Sequence, residues 1–296
     1  MTTIPAKLDR LSALLQGLAP QVRLLPVAYG GAAAKPSPAQ HFAAQAAPML
    51  TLHLVNTGKV VLRAGPHTLT AQAPSMVVCH GAVAHSLRHQ GPGPSDAVLT
   101  AQAWLVGPVA PLLLEEFGQP LVVPLGDADP ALTHIISLVR GELLDPRCGH
   151  PALLNSAGDI VFIALLRHLV AHPGDHHGLF QGLADPRIAK TLVAMHSGPH
   201  QPWTLESLAE HAGMSRTAFA VRFKNTLRCP PGKYLTRLRL QIAQRSVQSG
   251  QGLKAAARAA GFGNVSALSR ALSRTIPRTQ PPNAVPPTPA SETPFL

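Results

Sequence analysis

The stretch from Trp203 to Leu240, WTLESLAEHAGMSRTAFAVRFKNTLRCPPGKYLTRLRL, limits what this chain can fold into more than any other. Leu205, Leu208, Ala209 and Ala212 recur at helical spacing and share one face. Thr204 is placed to N-cap that helix, with Glu206 in its first turn near the positive end of the dipole. Gly213 supplies the turn, where a Cβ would be penalised at positive φ. Ser215 is a second N-cap, and Phe219, Phe223 and Leu227 form the apolar stripe of the helix it starts. The other face carries Arg216, Thr217, Ala220, Val221 and Lys224. This order of elements reads as a helix-turn-helix, whose second helix enters the major groove of DNA by its N-terminal residues. An ordinary helical hairpin with a solvated basic face is the alternative, and the sequence of cap, turn and basic flank argues against it.

Charge supports that reading. The chain of 296 residues carries a net charge of +11, unevenly spread. Residues 203–296 hold 13 Lys and Arg against 3 Asp and Glu, whereas residues 1–202 hold 12 against 11. The excess lies beside the helix-turn-helix, where neutralising phosphates would require it. Three cysteines, Cys79, Cys148 and Cys229, are too few and scattered for a disulfide framework. The N-terminus MTTIPAKLDR lacks the apolar core of a signal peptide, and the apolar run Val98 to Leu114 is broken by Gln102, Pro108 and Pro111. A soluble cytoplasmic protein without a membrane partner is expected.

The residues from Trp203 to Lys224, followed by Pro231, Tyr234-Leu235, Arg239-Leu240 and Ala243, resemble the DNA-binding domain of the AraC/XylS transcriptional regulators. The resemblance is dense to about Gln248. It implies two helix-turn-helix motifs joined by a linker helix. High Ala and Pro usage fits a bacterial source.

Earlier in the chain, Leu8 to Leu18 reads as an amphipathic helix, followed by an Ala/Gly/Pro-rich segment around Gly30 to Pro38. From Met49 the pattern becomes strands. MLTLHLV and KVVLRAG flank Thr57-Gly58, a hairpin signal, and HTLTAQA, SMVVCH and AVLTAQAWLVG follow. Close spacing and Gly/Pro breaks predict a small antiparallel barrel or sandwich, which ahead of an AraC-type domain resembles a cupin-like sensor. After Pro130, Leu132, Ile135, Ile136 and Val139 line one helix. Leu153, Leu154, Ile160, Ile163, Leu166, Leu169 and Val170 line a longer one. Both are too apolar to stay uncovered, so they pack on the barrel or on a second copy, as dimerising helices of this family do. Asp185 caps a further helix with Pro186 at its first position and Ile188, Leu192 and Met195 as its stripe.

The expected architecture is therefore α+β with two domains, an N-terminal cupin-like β-barrel with packed helices and a C-terminal all-α double helix-turn-helix domain. Residues 1–172 would form the sensor and dimerisation domain, with the barrel at about 45–127 and helices at about 130–171. A linker at 173–184, a DNA-binding domain at 185–278 with motifs at 204–227 and 253–274, and a disordered Pro-rich tail at 279–296 complete the chain.

A helix from Lys233 to about Val247 would span ~22 Å and carry both reading heads. In the second head Leu253 and Ala257 would pack inward, Gly261 turn, Asn264 cap, and Leu268 and Leu272 form the stripe. The resemblance implies base-reading sites at Thr217, Ala220 and Val221, and at Val265, Ser266, Ser269 and Arg270. Ala220 and Val221 suit a thymine methyl, and Arg270 can bond a guanine bidentately. Ser215 would cap at the groove, while Arg216, Arg222, Lys224 and Arg274 would hold phosphates, with a solvated surface charge the equal alternative for Arg222. Three departures stand out. Arg228 replaces a usual glycine, at a cost of ~1 kcal/mol if φ is positive. Ala256 and Ala260 thin the second head's core. Seven prolines from Pro277 onward prevent the usual last helix.

Histidines concentrate in the strand region: His53, His67, His80, His85 and His89. His53 and His85, with Cys79 or His80 as a third group, are the candidate ligand-binding residues, for an effector or for zinc or iron. The H-x-H with a following Glu of metal-binding cupins is missing from Met49 to Gly65, so no cofactor and no catalysis are expected. His168 and His172 lie four apart on one helix face without the glutamate of H-E-x-x-H. The expected function is transcription regulation in response to a small-molecule or stress signal, by a homodimer on double-stranded DNA, with RNA polymerase as a partner if it activates. A cupin-type metal enzyme, or a redox sensor using Cys79, is the alternative.

Overall fold

A computed structural model of the protein describes residues 9–25, 38–90, 97–125, 130–174 and 178–275. The segment around Gly30, the side chain of Leu132, and the Pro-rich tail lie outside the described residues. Asp9 starts α1 (Arg10–Leu18), its carboxylate accepting from the backbone N–H of Leu11 and Ser12.

Nine strands follow among the described residues: β1 (Pro20–Leu25), β2 (Gln40–Phe42), β3 (Met49–Val55), β4 (Lys59–Ala64), β5 (His67–Gln72), β6 (Ser75–His80), β7 (His85–Gln90), β8 (Val98–Leu105) and β9 (Leu121–Pro124). They form two antiparallel sheets, β1-β8-β3-β6-β9 and β2-β7-β4-β5. The expected hairpin at Thr57-Gly58 does not exist. β3 pairs with β6 and β8, β4 with β5 and β7, and the turn carries the chain from one sheet to the other. Burial explains the difference. Every residue of β3 is buried, as a central strand covered on both faces must be, whereas β4 alternates with one wetted face.

The larger sheet turns Leu50, Leu52 and Leu54 toward a helical layer. Val55, Val77, Cys79 and Val98 instead face Leu62 and Leu87 of the smaller sheet. The helical layer comprises α2 (Ala110–Leu114), α3 (Pro130–Leu144) and α4 (His150–Ala171). By length and composition α4 could cross a bilayer, yet its buried face, including Ala157, Val161, Phe162 and Leu165, packs on β1 and α3. Ile160, expected in that stripe, is 41 % exposed.

The expected linker is shorter than 173–184. Residues Leu179–Ala184 form α5, and Leu179, Phe180 and Leu183 are buried against α4, α6 (Pro186–Ser197) and α8 (Arg216–Leu227). Gly and His around it hide the helix in the sequence, and apolar burial decides it. α6 begins at Asp185 as expected, and Ile188, Leu192 and Met195 are buried. One apolar cluster runs unbroken from the larger sheet through α4, α5 and α6 to α8.

α7 (Leu205–His211), α8, α9 (Pro231–Gln248), α10 (Leu253–Ala259) and α11 (Val265–Thr275) complete the chain. Arg228 closes α8 with φ of 57°, the left-handed backbone that a glycine would adopt without strain. Arg228→Gly is expected to stabilise the protein by ~1 kcal/mol and raise Tm by a few degrees in a thermal melt. An unchanged or lower Tm would show that the side chain's own interactions outweigh the strain.

Candidate DNA-reading surface and the barrel cluster

Two helix-turn-helix units flank α9. In the first, the Thr204 hydroxyl accepts from Ser207 N–H at 3.1 Å and Ser207 Oγ accepts from Thr204 N–H at 3.0 Å, a reciprocal cap. Gly213 turns with φ of 62°, and Ser215 Oγ accepts from Ala218 N–H. Phe219, Phe223 and Leu227 face inward, which leaves Ser215, Arg216, Thr217, Val221 and Lys224 exposed and Ala220 half-buried. The basic residues divide by partner. Arg216 pairs with Glu206 across the motif. Arg222 pairs with Asp185 at 2.5 Å, which fixes α8 on the start of α6. Arg239 donates to the carbonyls of Pro199 and Gln201 at 2.8 and 2.6 Å.

In the second unit Gly261 turns with φ of 75° and Asn264 Oδ1 accepts from Ala267 N–H at 2.8 Å. Ser266, Ser269 and Arg270 are exposed and Val265 is half-buried; the side chain of Arg274 lies outside the described residues. Leu253, expected inward, is 51 % exposed, whereas Ala257 and Ala260 occupy the face against Leu240 and Ala243 of α9. The second core, built from Leu240, Ala243, Ala257, Ala260 and Leu268, is as thin as its alanines imply.

The two halves touch. Glu116 accepts from Leu179 N–H at 2.7 Å, Arg237 of α9 pairs with Glu115, and Arg10 donates to the carbonyls of Leu183 and Ala184. A cleft of about 510 Å³ lies at this junction, lined by Phe117, Leu121, His168, Leu169, His172 and Phe180. His168 and His172 place their rings 4.5 Å apart. Burial, then the neighbouring His172, lowers the pKa of His168. Deeper in the C-terminal half, burial pushes His196 down to about 4 and Tyr234 up, so both are neutral where His196 Nε2 and the Tyr234 hydroxyl share a hydrogen bond of 2.7 Å.

Between the sheets, the structure brings together three of the four barrel residues picked from the sequence. His53 on β3, Cys79 on β6 and His85 on β7 are buried, with their ligand atoms within 4.8 Å of one another. His80 does not join them. Strand alternation turns it to the opposite face, where its Nδ1 accepts from Ala82 N–H. Two further residues complete the cluster. Thr100 sits opposite His53 on β8, its Oγ1 3.0 Å from His53 Nδ1, and Phe42 stacks on His85 at 4.9 Å. Neither carries a sequence signal, because only register places them. Burial pushes the Cys79 thiol up to about 12, opposite to the low-pKa thiolate that oxidant sensing requires. No carboxylate belongs to the cluster among the described residues, so the ligand set of cupin iron enzymes is not assembled here.

The fold and sites define a class: a cupin-type double sheet with its helical layer, joined to a paired helix-turn-helix domain. The cupin family profile matches residues 9–171, just over half of the chain, and a helix-turn-helix profile matches residues 208–279. The chain belongs to the AraC family, with an N-terminal cupin domain. It is 33 % identical over 168 residues to a protein of Streptomyces antibioticus named as an AraC-like transcription regulator, covering 56 % of this chain and 55 % of that one. A second so named, from Streptomyces lividans, is 40 % identical over 119 residues, 40 % and 39 % of the two chains. The matches thus span about half the length of these curated relatives or less. The DNA-bound DNA-binding domain of AdpA is 29 % identical and covers 31 % of this chain and 83 % of its own, with a TM-score of 0.30.

Proposed function

We propose that this protein is a sequence-specific DNA-binding transcription regulator that responds to a signal through its cupin domain. One observation carries the reading: both heads expose the N-terminal residues of their second helices while burying the opposite stripe. α9, 18 residues and so about 27 Å long, separates the heads on the scale of successive major grooves. Thr217, Ala220 and Val221 read one groove, and Val265, Ser266, Ser269 and Arg270 the other. Lys224 and Arg274 hold phosphates. Arg222 is withdrawn from that role by Asp185.

A homodimer fits the exposed Leu138 and Ile160 on α3 and α4. Operator DNA, RNA polymerase where it activates, and a small-molecule effector are the partners of this reading, in the cytoplasm and without catalysis. The enzyme reading would need a carboxylate beside His53, and the His53 cluster holds none among the described residues.

Footprinting and titration on the protein's own promoter region test the reading. Arg270→Ala should cost about 1–3 kcal/mol and relax discrimination at one guanine, while Lys224→Ala weakens every sequence alike and lowers the salt slope by about 1. Equal, sequence-blind affinity of wild type for all duplexes would overturn the proposal.

A further inference from the structure

We propose that His53, Cys79 and His85 form a site for one d10 metal ion, Zn²⁺ or Cu⁺, bound through His53 Nε2, Cys79 Sγ and His85 Nε2. The site goes beyond the DNA-binding reading and does not depend on it. Its three groups come from three strands in both sheets, and each is buried. The two Nε2 atoms lie 2.9 Å apart, with the sulfur inside the same 4.8 Å cluster. Bonds of ~2.0–2.3 Å to a shared ion need the nitrogens to part by roughly half an ångström and the sulfur to approach by roughly 1 Å.

Proton placement makes the pair ready for a metal. His85 Nδ1 lies 3.0 Å from the carbonyl of Val83, which only accepts, so Nδ1 carries the proton and Nε2 is a bare lone pair. His53 Nε2 therefore donates to His85 Nε2, while its Nδ1 accepts from the Thr100 hydroxyl. A hydroxyl both donates and accepts, so His53 can move its proton to Nδ1, donate to Thr100 Oγ1, and release Nε2 to an ion. Thr100 is thus a positioning residue. The Cys79 thiol proton leaves as the sulfur–metal bond forms, one per ion bound.

The donor set selects the ion. Two imidazoles and a thiolate, with no carboxylate in the cluster among the described residues, favour d10 ions over the hard cations that oxygen ligands hold. Phe42 stacks on His85 and meets His53 edge-on at 4.8 Å, closing the site toward β2. Three protein ligands complete a trigonal Cu⁺ site, and for Zn²⁺ leave one position for water.

Full-length protein stripped with a chelator would be titrated with Zn²⁺ or, without oxygen, Cu⁺, then desalted and analysed for metal. Co²⁺ serves as a spectroscopic probe through its thiolate charge-transfer band. One ion per chain is expected, and the ion retained distinguishes the two. Cys79→Ser should lose the cobalt band, whereas Cys148→Ser, at the exposed cysteine, and His80→Ala should keep it. Thr100→Val should weaken binding about 10–100-fold. Thermal melts check that each variant folds, and metal should raise Tm in wild type but not in Cys79→Ser. Retention of neither ion, or an unchanged band in folded Cys79→Ser, would overturn the proposal. No DNA enters the measurement, so its failure leaves the DNA-binding reading standing.

Discussion

Phe223→Ala is expected to destabilise the C-terminal half by about 3–5 kcal/mol and to abolish DNA binding at temperatures where the wild-type chain still binds. Phe223 is fully buried, with its ring centroid 5.5 Å from that of Phe219 and 5.7 Å from that of Tyr234. It joins α8 to α9, and the surrounding packing is expected to relax only partly into the space it leaves. At the neighbouring crossing of α5 and α8, a Cβ added to Gly182 would lie 2.8 Å from both Leu192 and Leu227. Against a total stability of about 5–15 kcal/mol, such a loss is a large fraction. Val221→Ala on the same helix is the control. Val221 is 55 % exposed, so its truncation should change stability by less than about 0.5 kcal/mol, while under the proposed reading it alters the contact with a thymine methyl. Urea titrations of both variants, followed by DNA titration below the midpoint, check the pair. A loss under about 1 kcal/mol in Phe223→Ala would mean that the stripe is not the buried face.

That contrast marks what the sequence makes legible. Caps and turns are local, so Thr204, Gly213, Ser215, Asp185 and Asn264 could each be placed from a few neighbouring residues, and each performs its expected role. Register is not local. His53 and Cys79 share a face because β3 and β6 pair with Thr51 opposite Cys79, and no feature within either strand announces it. The same ignorance turned Thr57-Gly58 into a hairpin and left His80 among the barrel ligands. β7, HSLRHQ, reads as polar, yet it buries His85, Leu87 and His89. α5 is hidden by the glycines and histidines that precede it, although Phe180 lies against Phe117 and Glu116 accepts from Leu179. These contacts make α5 one of the physical connections between the cupin half and the first head, beside the Arg237–Glu115 pair and the packing of α1 on α6.

The second head depends on a different contact, and Gly261→Ala is expected to release it. Gly261 combines φ of 75° with a close approach. An added Cβ would lie 2.6 Å from His200 Cα and 3.0 Å from its carbonyl oxygen, backbone atoms that cannot rotate aside. The segment they belong to is held from several sides. Trp203 Nε1 donates to Gly198 O at 2.8 Å, and Arg239 donates to Pro199 O and Gln201 O. The movement therefore falls on α10 and α11, whose alanine-rich core offers little apolar area to resist it. Strain and displacement together should cost about 2–3 kcal/mol, on the order of 100-fold in affinity where both heads engage DNA. The footprint should contract to the block read by the first head. Gly213→Ala separates strain from displacement, because its φ of 62° is similar but no atom lies within 4 Å of the added Cβ. It should lose only ~1 kcal/mol and keep the full footprint. If Gly261→Ala also keeps both blocks, the second head does not need its seat on the His200 segment to reach the duplex.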